Sequence, residues 1–435
     1  MRELVLLVAI AGGLGLTVFY PFAGVLLWAW FTCMDPHQEA YGIVATLPLN
    51  LVIACVTLLG LLVSKERKRP PADATFYAVM AFLVWSTFNT FFAVVPDVSW
   101  PIWNLTWKVF LLGLVIAMSA TSKVRIHAVV WIVVISLFYY GVKGGLFTLV
   151  TGGHAHVLGP SQSIIGDNNQ LALALLMCLP LANYLRLHSE KKWVRFLLLA
   201  SMVIVFISIL GSYSRGAYLA LLALAFVAWL RARNKLLYPI LIVVVAVPAL
   251  YFMPQSFYDR LYTLETTDTD ASFQGRIKAW QVAYHYAAEH FPFGAGFYGP
   301  QQPQVFNQYF PGQPTHAAHS IFFEVMGDNG FTGFAIYLVI LGLAFWNCSS
   351  ILRRARGQPE FAWARDLAAM IQLTLFVFCV GGAALSMAYY DVFAICLGLL
   401  SALKQLIGQR MSHKEPEPTP AVPMVDVASE NESIS

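Results

Sequence analysis

The fold class is decided by residues 191–235, which read KKWVRFLLLASMVIVFISILGSYSRGAYLALLALAFVAWLRARNK. Two apolar segments, 194–211 and 214–231, each approach the length of about 20 residues that a helix needs to cross a bilayer. Lys and Arg cluster at both ends of this pair, whereas the turn between the segments holds one cation, Arg215. Because basic residues collect in cytoplasmic loops, the pattern predicts a transmembrane hairpin whose turn faces outward.

The rest of the chain repeats this pattern. Of the 435 residues, 58% are hydrophobic and 11% are charged, and the mean hydropathy is +0.66. A soluble domain carries about 25% charged residues, so a soluble protein with a single anchor is excluded. The sequence predicts an all-α polytopic membrane protein with about twelve transmembrane helices. The expected spans are 4–33, 42–63, 74–95, 104–121, 126–150, 167–186, 194–211, 214–231, 236–253, 317–349, 363–386 and 389–406.

The basic residues orient this layout. With the N- and C-termini in the cytoplasm, 21 of the 27 Lys and Arg residues fall on the cytoplasmic side, as the positive-inside rule requires. Residues 1–410 are expected to form one membrane domain, followed at 411–435 by a disordered cytoplasmic tail rich in Pro, Glu and Ser. The first span is unusually long. Pro21 either tilts it or divides it into two short segments, which would move the N-terminus outside.

One external loop, residues 254–316, is far longer than an ordinary connection, and loops of this length tend to be functional. Within it, residues 275–290 (GRIKAWQVAYHYAAEH) have the apolar spacing of a helix, which lies on the membrane surface or packs on the bundle. Residues 291–300 (FPFGAGFYGP) follow as a turn that Gly and Pro enforce.

Cations that break the positive-inside rule are functional candidates, because they oppose the signal that orients the chain. An anion at the outer leaflet, such as a lipid phosphate or pyrophosphate, is the obvious reason to gather them. Arg215 is the strongest candidate, since it starts an inward-running helix whose N-terminal N–H groups and dipole favour anions, with Ser212 or Ser214 as N-cap. Each of these cations also has a structural explanation without a ligand: it snorkels to the lipid headgroups, is a solvated loop charge, or forms an ion pair. The six cations that break the rule are Lys108, Lys143, Arg215, Arg260, Arg276 and Lys278.

His319 is the candidate for proton transfer, because a histidine can accept a proton near neutral pH. It opens the tenth span in THAAHSIFFEVMGDNGFTGFAIYL, residues 315–338, and His316 is its possible partner or substitute. Glu324 and Asp328 follow on the same helix. They either orient a base, hold an acceptor sugar, or form a hydrogen bond between helices.

Polar residues also open the sixth span, where Asp167, Asn168 and Asn169 are of helix-capping types, and capping alone accounts for them. Asn168 and Asn169 stay possible acceptor-binding or orienting residues. No metal or other cofactor is expected: the chain has no GxxxxGK[ST] or HExxH motif, and its six cysteines are scattered singly. The DTD at 268–270 is only a three-residue match to a metal-binding motif and is interpreted as solvated.

Several segments occur in one order along the predicted spans: DNNQLALAL (167–175), SYSRGAYLAL (212–221), GRIKAW (275–280), FGAGFYG (293–299) and HSIFFEVMGDNGFTGFAIYL (319–338). Together they resemble the O-antigen ligase / O-antigen polymerase superfamily over most of the chain. The IIGDNNQLAL segment and the short C-terminal spans also resemble the subgroup described as O-glycosylation ligases associated with exosortase systems.

The resemblance implies a membrane-embedded, GT-C-like glycosyltransferase of the bacterial inner membrane that is inverting and metal-independent. It would transfer a glycan from undecaprenyl pyrophosphate to a sugar of lipid A-core at the periplasmic face, completing lipopolysaccharide. On this sequence it implies His319 as general base, with Arg215 and Arg276 binding the pyrophosphate. Arg260, Lys278 and Lys143 are weaker pyrophosphate candidates. The partners expected are the lipid-linked donor, lipid A-core and membrane lipids, and no nucleic acid.

Three alternatives stay open. An O-antigen polymerase or a protein O-oligosaccharyltransferase would share the donor site, and the acceptor site cannot be identified in the sequence. A transporter of anionic lipids should show repeated halves and ionisable groups near mid-bilayer. The sequence has no clear repeat, and most of the unusual charges gather at one face, which favours a transferase.

Overall fold

Helices make up all the regular secondary structure of the described chain. The computed structural model describes residues 2–39, 44, 47–64, 70–161, 163–231 and 271–412. The α-helices there are α1 (Arg2–Phe19), α2 (Pro21–Met34), α3 (Leu49–Val63), α4 (Ala74–Thr90), α5 (Pro96–Ser119), α6 (Lys123–Val150), α7 (Asn168–His188), α8 (Lys192–Leu210), α9 (Arg215–Arg231), α10 (Ala271–Glu289), α11 (Pro303–Tyr309), α12 (Ile321–Arg354), α13 (Ala362–Gly382) and α14 (Asp391–Ser412). Short 3-10 helices lie at Pro36–Glu39 and Pro359–Phe361.

Seven of the described helices, α5–α8 and α12–α14, are long and apolar enough to cross a membrane. Four more, α1, α2, α3 and α9, are shorter apolar helices. These helices confirm the prediction of an all-α polytopic membrane protein. The number of spans stays a prediction, because the expected span 236–253 lies outside the described residues, as do Arg260 and residues 413–435. α14 continues to Ser412, and the predicted disordered tail stays a prediction.

The interior of the bundle is built around α7 and α14. In their most apolar stretches 72% and 83% of the residues are buried inside the protein, compared with 22% in α8, which lies at the periphery. α7 packs against α13, and α14 packs against α5. One continuous hydrophobic cluster runs from Leu6 to Ile407. The polar residues that open α7 are therefore at the centre of one end of the bundle.

The first predicted span is in fact two helices. Pro21, which has no backbone N–H, starts α2 directly after α1 ends at Phe19. A Cβ on Gly13 would touch Leu27, and one on Gly24 would touch Thr17, so α1 and α2 run antiparallel. Residues 4–33 therefore contain two short helices, which is one of the two alternatives that the sequence left open.

This hairpin also bears on the position of the N-terminus. Gly60, in the last turn of α3, lies against Thr17 and Pro21 at the closed end of the hairpin. The first residues of α1 therefore lie at the opposite end of the bundle from Val63, where α3 ends. The cytoplasmic position of the N-terminus stays a prediction.

The long helix α12 is interrupted at Gly330, whose φ of 69° and ψ of −178° are accessible essentially only to glycine. The residues before the break, 321–329, form a short helix, and those after it form the spanning part. The carbonyl groups freed at the break find new donors: Ala295 N donates to Gly327 O (2.9 Å) and Gly296 N to Asp328 O (3.0 Å). The break is thus a stable part of the fold that joins the external loop to the bundle.

The helix predicted over residues 275–290 is confirmed as α10, which starts at Ala271 and packs against α12. The ring of Trp280 stacks on Phe323 at 4.9 Å, and its Nε1 donates to Ala318 O at 2.6 Å. On its other side α10 forms a small separate hydrophobic cluster with Ala295, Val305 and Phe306. α10 therefore belongs to the packed end of the bundle.

Candidate functional site

An open cleft of about 830 Å³, here called the arginine cleft, contains both Arg215 and Arg276. Its walls are the first residues of α7, including Asn168, the turn and first residues of α9, one face of α10 with Phe273, and the end of α13. Among the described residues that line it there is no Asp or Glu. The cleft is therefore suited to a large anionic ligand that also has an apolar part.

Arg215 is held in place by the turn that precedes α9. The Ser214 hydroxyl accepts a hydrogen bond from Ala217 N (3.2 Å), which confirms one of the two predicted N-caps. Tyr213 adopts a left-handed φ of 56°, and its hydroxyl donates to Gly153 O. Asn168 Nδ2 donates to Ser212 O at 2.6 Å, so α7 fixes the turn from the side. Arg215 is thus the first residue of a helix whose start is rigid.

The capping interpretation of residues 167–169 is also confirmed. Asp167 Oδ1 accepts a hydrogen bond from Asn169 N at 2.8 Å and from Asn169 Nδ2 at 2.9 Å, as an N-cap of α7 does. Both asparagines line the arginine cleft, and the next residue, Gln170, donates through Nε2 to Ser386 O at 3.4 Å. These residues join α7 to the α13–α14 connection.

Arg276 lines the arginine cleft, and its charge acts on His319, which lines a second cavity. It is half-buried on α10, and its Nη1 approaches Ala384 O at 3.5 Å. Its neighbour Gly275 is in close contact with His316, since a Cβ there would lie 2.7 Å from the imidazole Nδ1. The absence of a side chain at position 275 lets the histidine segment pack directly on α10.

The second cavity, here called the histidine cavity, has a volume of about 220 Å³. It brings together four residues that the sequence singled out separately, His316, His319, Glu324 and Asp328. Other described residues that line it are Gln170, Tyr298, Gln301, Phe323 and Ser386.

His319 has two features that are common at functional sites. Its backbone φ of 45° is left-handed, which is strained for a residue other than glycine. Burial lowers its pKa, and the positive charge of Arg276 lowers it further, whereas Asp167 raises it. The imidazole is therefore held neutral and can accept a proton. Tyr298, in the same cavity, is also left-handed at φ 57°, so strained backbone marks both sides of the site.

The two carboxyl groups of α12 have structural partners. Asp328 is 2% exposed, and its Oδ1 accepts from Tyr298 N (2.9 Å) and its Oδ2 from the Tyr389 hydroxyl (3.0 Å). Glu324 is 8% exposed, and its Oε2 accepts from Ala388 N (3.0 Å). Asp328 thus links α12 to Tyr298 and Tyr389 by hydrogen bonds, which is nearest to the predicted structural alternative, and its role in orienting a base or holding an acceptor sugar stays a prediction.

Part of the chain matches known protein families. Residues 200–338 match the family described as O-antigen ligase. This match supports a relationship to the O-antigen ligase/polymerase superfamily. Residues 1–190 match a family of unknown function (DUF5935), and no curated protein matches the chain. The match confirms the predicted resemblance over residues 200–338, and it supports glycosyl transfer of the ligase or polymerase type.

The O-antigen ligase match contains both arginines and both histidines of the site, but it does not contain the whole site. Asn168 and Gln170 belong to the segment matched at 1–190, and Ser386 and Tyr389 lie beyond both matches. Sequence analysis missed Gln170, Tyr298, Gln301, Ser386 and Tyr389. Tyr298 could have been identified, because it lies in the FGAGFYG turn that the sequence pointed out. Tyr389 could not, because it reaches the site only through the chain reversal between α13 and α14.

Two predicted pyrophosphate ligands are not brought to the site. Lys278 Nζ donates to Gln313 Oε1 at 2.6 Å, and Lys143 Nζ pairs with Glu39 Oε2 at 3.3 Å. Neither lysine lines the arginine cleft or the histidine cavity. Arg260 lies outside the described residues. In the part of the chain that the structure describes, no three His, Cys, Asp or Glu side chains come together as metal ligands.

Proposed function

We propose that the protein is an O-antigen ligase that transfers a glycan from undecaprenyl pyrophosphate to a sugar hydroxyl of lipid A-core. One observation carries the proposal: Arg215 and Arg276 line one cleft, and Arg276 is close enough to His319 in the adjoining cavity to lower its pKa. Phosphate-binding cations and a proton acceptor are thus neighbours, as a transferase with a pyrophosphate leaving group requires.

The arginine cleft would bind the donor. Guanidinium groups bind phosphate oxygens through paired, charge-assisted hydrogen bonds, and the N-terminus of α9 adds its dipole. As the bond from the anomeric carbon to the pyrophosphate oxygen breaks, the electron pair stays on the pyrophosphate. Fixed positive groups stabilise this developing charge, so Arg215 and Arg276 would take the part that a metal ion has in many other transferases. Exposed Leu219 and Phe273 supply apolar contact for the polyprenyl chain.

The histidine cavity would bind the acceptor. Its sugar hydroxyl attacks the anomeric carbon from the face opposite the leaving group, which inverts the configuration. The hydroxyl proton passes to the neutral imidazole of His319, a general-base contribution of about 10²–10⁴-fold. Arg276 would contribute to both steps. It would bind the pyrophosphate leaving group, and its positive charge would keep His319 deprotonated before the attack.

The site is proposed to face the periplasm from the inner membrane. It lies at the end of the bundle where α7 and α9 start. The basic segments 186–195 and 353–365 lie at the opposite ends of α7 and α12, and the positive-inside rule puts them in the cytoplasm. The C-terminus after α14 would then also be cytoplasmic.

An in vitro transfer assay tests the proposal. Purified protein in detergent is mixed with an undecaprenyl-pyrophosphate glycan and lipid A-core in the presence of EDTA. We expect transfer by the wild type, a loss of about 10²-fold or more in His319→Asn, Arg215→Gln and Arg276→Gln, and a change below about threefold in Lys278→Gln. Lys278 is the matched control, because it is a cation on the same helix as Arg276 and lines neither cavity.

Other outcomes point elsewhere. If the wild type lengthens the donor and leaves lipid A-core unchanged, the protein is a polymerase. If a Ser or Thr peptide is glycosylated instead, it is a protein O-oligosaccharyltransferase. If the donor is neither bound nor consumed, the transferase proposal fails, and transport of an anionic lipid should be tested.

A further inference from the structure

Two further carboxyl groups lie outside the candidate site, where the end of α2 meets the start of α14. Asp35 follows α2 directly, and Asp391 is the first residue of α14. α14 packs against α2 and α6, and the charges of the two aspartates act on each other. Both charges also act on Cys33, which is 4% exposed. The two carboxyl groups are therefore neighbours at a junction inside the bundle.

Neither carboxyl group has a cationic partner in the part of the chain that the structure describes. Lys143, on the adjacent α6, is paired with Glu39 instead, at 3.3 Å. Asp391 is 5% exposed, and its Oδ1 has no hydrogen-bond partner among the described residues. A buried carboxylate without a counterion is costly, so a group in this position is either protonated or balanced by a bound cation.

The hydroxyl group of Tyr390 is an independent sign of a ligand. Its side chain is 2% exposed, and the hydroxyl has no hydrogen-bond partner among the described residues. The charges of Asp35 and Asp391 both act on it. A protonated carboxyl group is a donor and would be expected to bond to such a neighbour, yet no hydrogen bond joins Asp391 Oδ1 and the hydroxyl. Oxygen atoms that are close but not bonded to each other are arranged as the ligands of a common cation are.

The two helix ends favour a cation and limit its charge. The last carbonyl groups of α2 form the negative end of its dipole. Tyr140 Oη donates to Met34 O at 2.6 Å, but Pro36 has no N–H that could bind Thr32 O one turn back. Asp391 lies at the N-terminus of α14, where the dipole offsets part of its negative charge. The charge left to balance is thus nearer to one than to two, as a monovalent ion requires.

We propose that Na⁺ binds between the end of α2 and the start of α14, with Asp35, Asp391 and the Tyr390 hydroxyl as ligands. Hard cations prefer oxygen ligands, and interrupted helices of membrane proteins bind Na⁺ through carbonyl groups at their C-terminal ends. The ion would hold α14 to α2 beside Tyr389, whose hydroxyl donates to Asp328. It would take no part in the transfer step, so the inference does not rest on the proposed function.

Thermal unfolding of the purified protein tests the site, with tryptophan fluorescence as the signal, above neutral pH and with EDTA present. At equal ionic strength, NaCl should raise the Tm of the wild type by about 3 °C or more relative to choline chloride, whose cation is too large to enter. The rise should be absent in Asp391→Asn and at least halved in Tyr390→Phe. Asp97→Asn is the matched control, because it makes the same change at an exposed position in the first turn of α5. It should keep the full rise.

Binding of radioactive sodium provides a second measurement. The wild type should bind one Na⁺ per chain, displaced by unlabelled NaCl, and Asp35→Asn should not, which keeps the test open if Asp391→Asn fails to fold. Equal Tm values in the two salts would overturn the inference and favour internal water as the occupant. So would a rise that persists in both aspartate variants, or stabilisation by CaCl₂ without EDTA but not by NaCl. No donor or acceptor is present, so failure here leaves the transferase proposal standing.

Discussion

Replacing Gly330 by alanine should destabilise the helix break that positions the residues of the histidine cavity. The conformation at φ 69° and ψ −178° is strained for any residue with a Cβ, at a cost of about 1–3 kcal/mol. The new Cβ would also lie 2.4 Å from Pro292 O and 2.5 Å from the Phe293 carbonyl carbon, both backbone atoms that cannot rotate away. Overpacking of this kind costs about 1–3 kcal/mol, so the free energy of unfolding should fall by about 2–6 kcal/mol.

The matched control is Gly342→Ala, the same substitution later in α12. A Cβ there meets nothing within 4 Å, and the position is helical, so stability should stay the same or rise slightly. Unfolding by SDS in mixed micelles, followed by tryptophan fluorescence, gives the free energy of unfolding of both variants. Transfer activity at low temperature should fall more than about tenfold in Gly330→Ala alone, because residues 321–329 carry Glu324 and Asp328.

Equal stability of the two variants, within about 0.5 kcal/mol, would refute the reasoning. It would mean that position 330 is helical, or that the turn at 292–294 is not packed against it. Loss of stability with full activity would show instead that the break serves the fold and that the cavity does not depend on it.

Two further predictions concern charge. If His319 is the general base that we propose, it acts only when neutral, so kcat/KM should fall as the pH drops through its lowered pKa. In a pH–rate profile, Arg276→Gln should move this acidic limb to higher pH and Asp167→Asn should move it to lower pH. Lys404 Nζ donates to Asp73 Oδ1 at 2.7 Å, and Asp73 is 3% exposed, so Lys404→Met should reduce the free energy of unfolding by about 3 kcal/mol. Adding Asp73→Asn should restore much of the loss.

The two pH shifts have opposite signs, so a general loss of activity cannot imitate them. Asn is itself a good N-cap, so Asp167→Asn removes the charge with little effect on the start of α7. Shifts in the same direction would show that His319 is not the titrating group. For the lysine, a double variant no more stable than Lys404→Met alone would show that the buried charge of Asp73 is not the cause.

The sequence predicted the membrane class and pointed to several residues of the candidate site, because both leave local signals. Apolar runs define spans directly, and Arg215 and His319 stand out as polar residues at span ends. The hairpin of α1 and α2 was left undecided, because Pro21 marks a break but does not say whether the chain reverses there. The break at Gly330 was missed, since GDNGFTG sits in a continuous apolar run and the partners of its carbonyl groups come from residues distant in the chain.

Long-range contacts explain the other differences. Lys143 and Lys278 looked like ligands because their charges oppose the topology, yet Glu39 and Gln313 already bind them. Nothing near either lysine in the sequence indicates those partners. Tyr389 reaches Asp328 only when α12 and the α13–α14 connection are folded together.

The composite origin of the histidine cavity has a consequence for how such proteins diversify. Gln170, Tyr298 and Ser386 come from three sections of the chain, of which only the middle one lies in the O-antigen ligase match. Recombination that exchanged residues 200–338 between relatives would carry both arginines and His319 together, yet it would leave two walls of the cavity with the recipient. The residues proposed to bind the donor would be transferred with the exchanged segment. Binding of a new acceptor would instead depend on substitutions at residues 170 and 384–389, which lie outside the segment that matches the family.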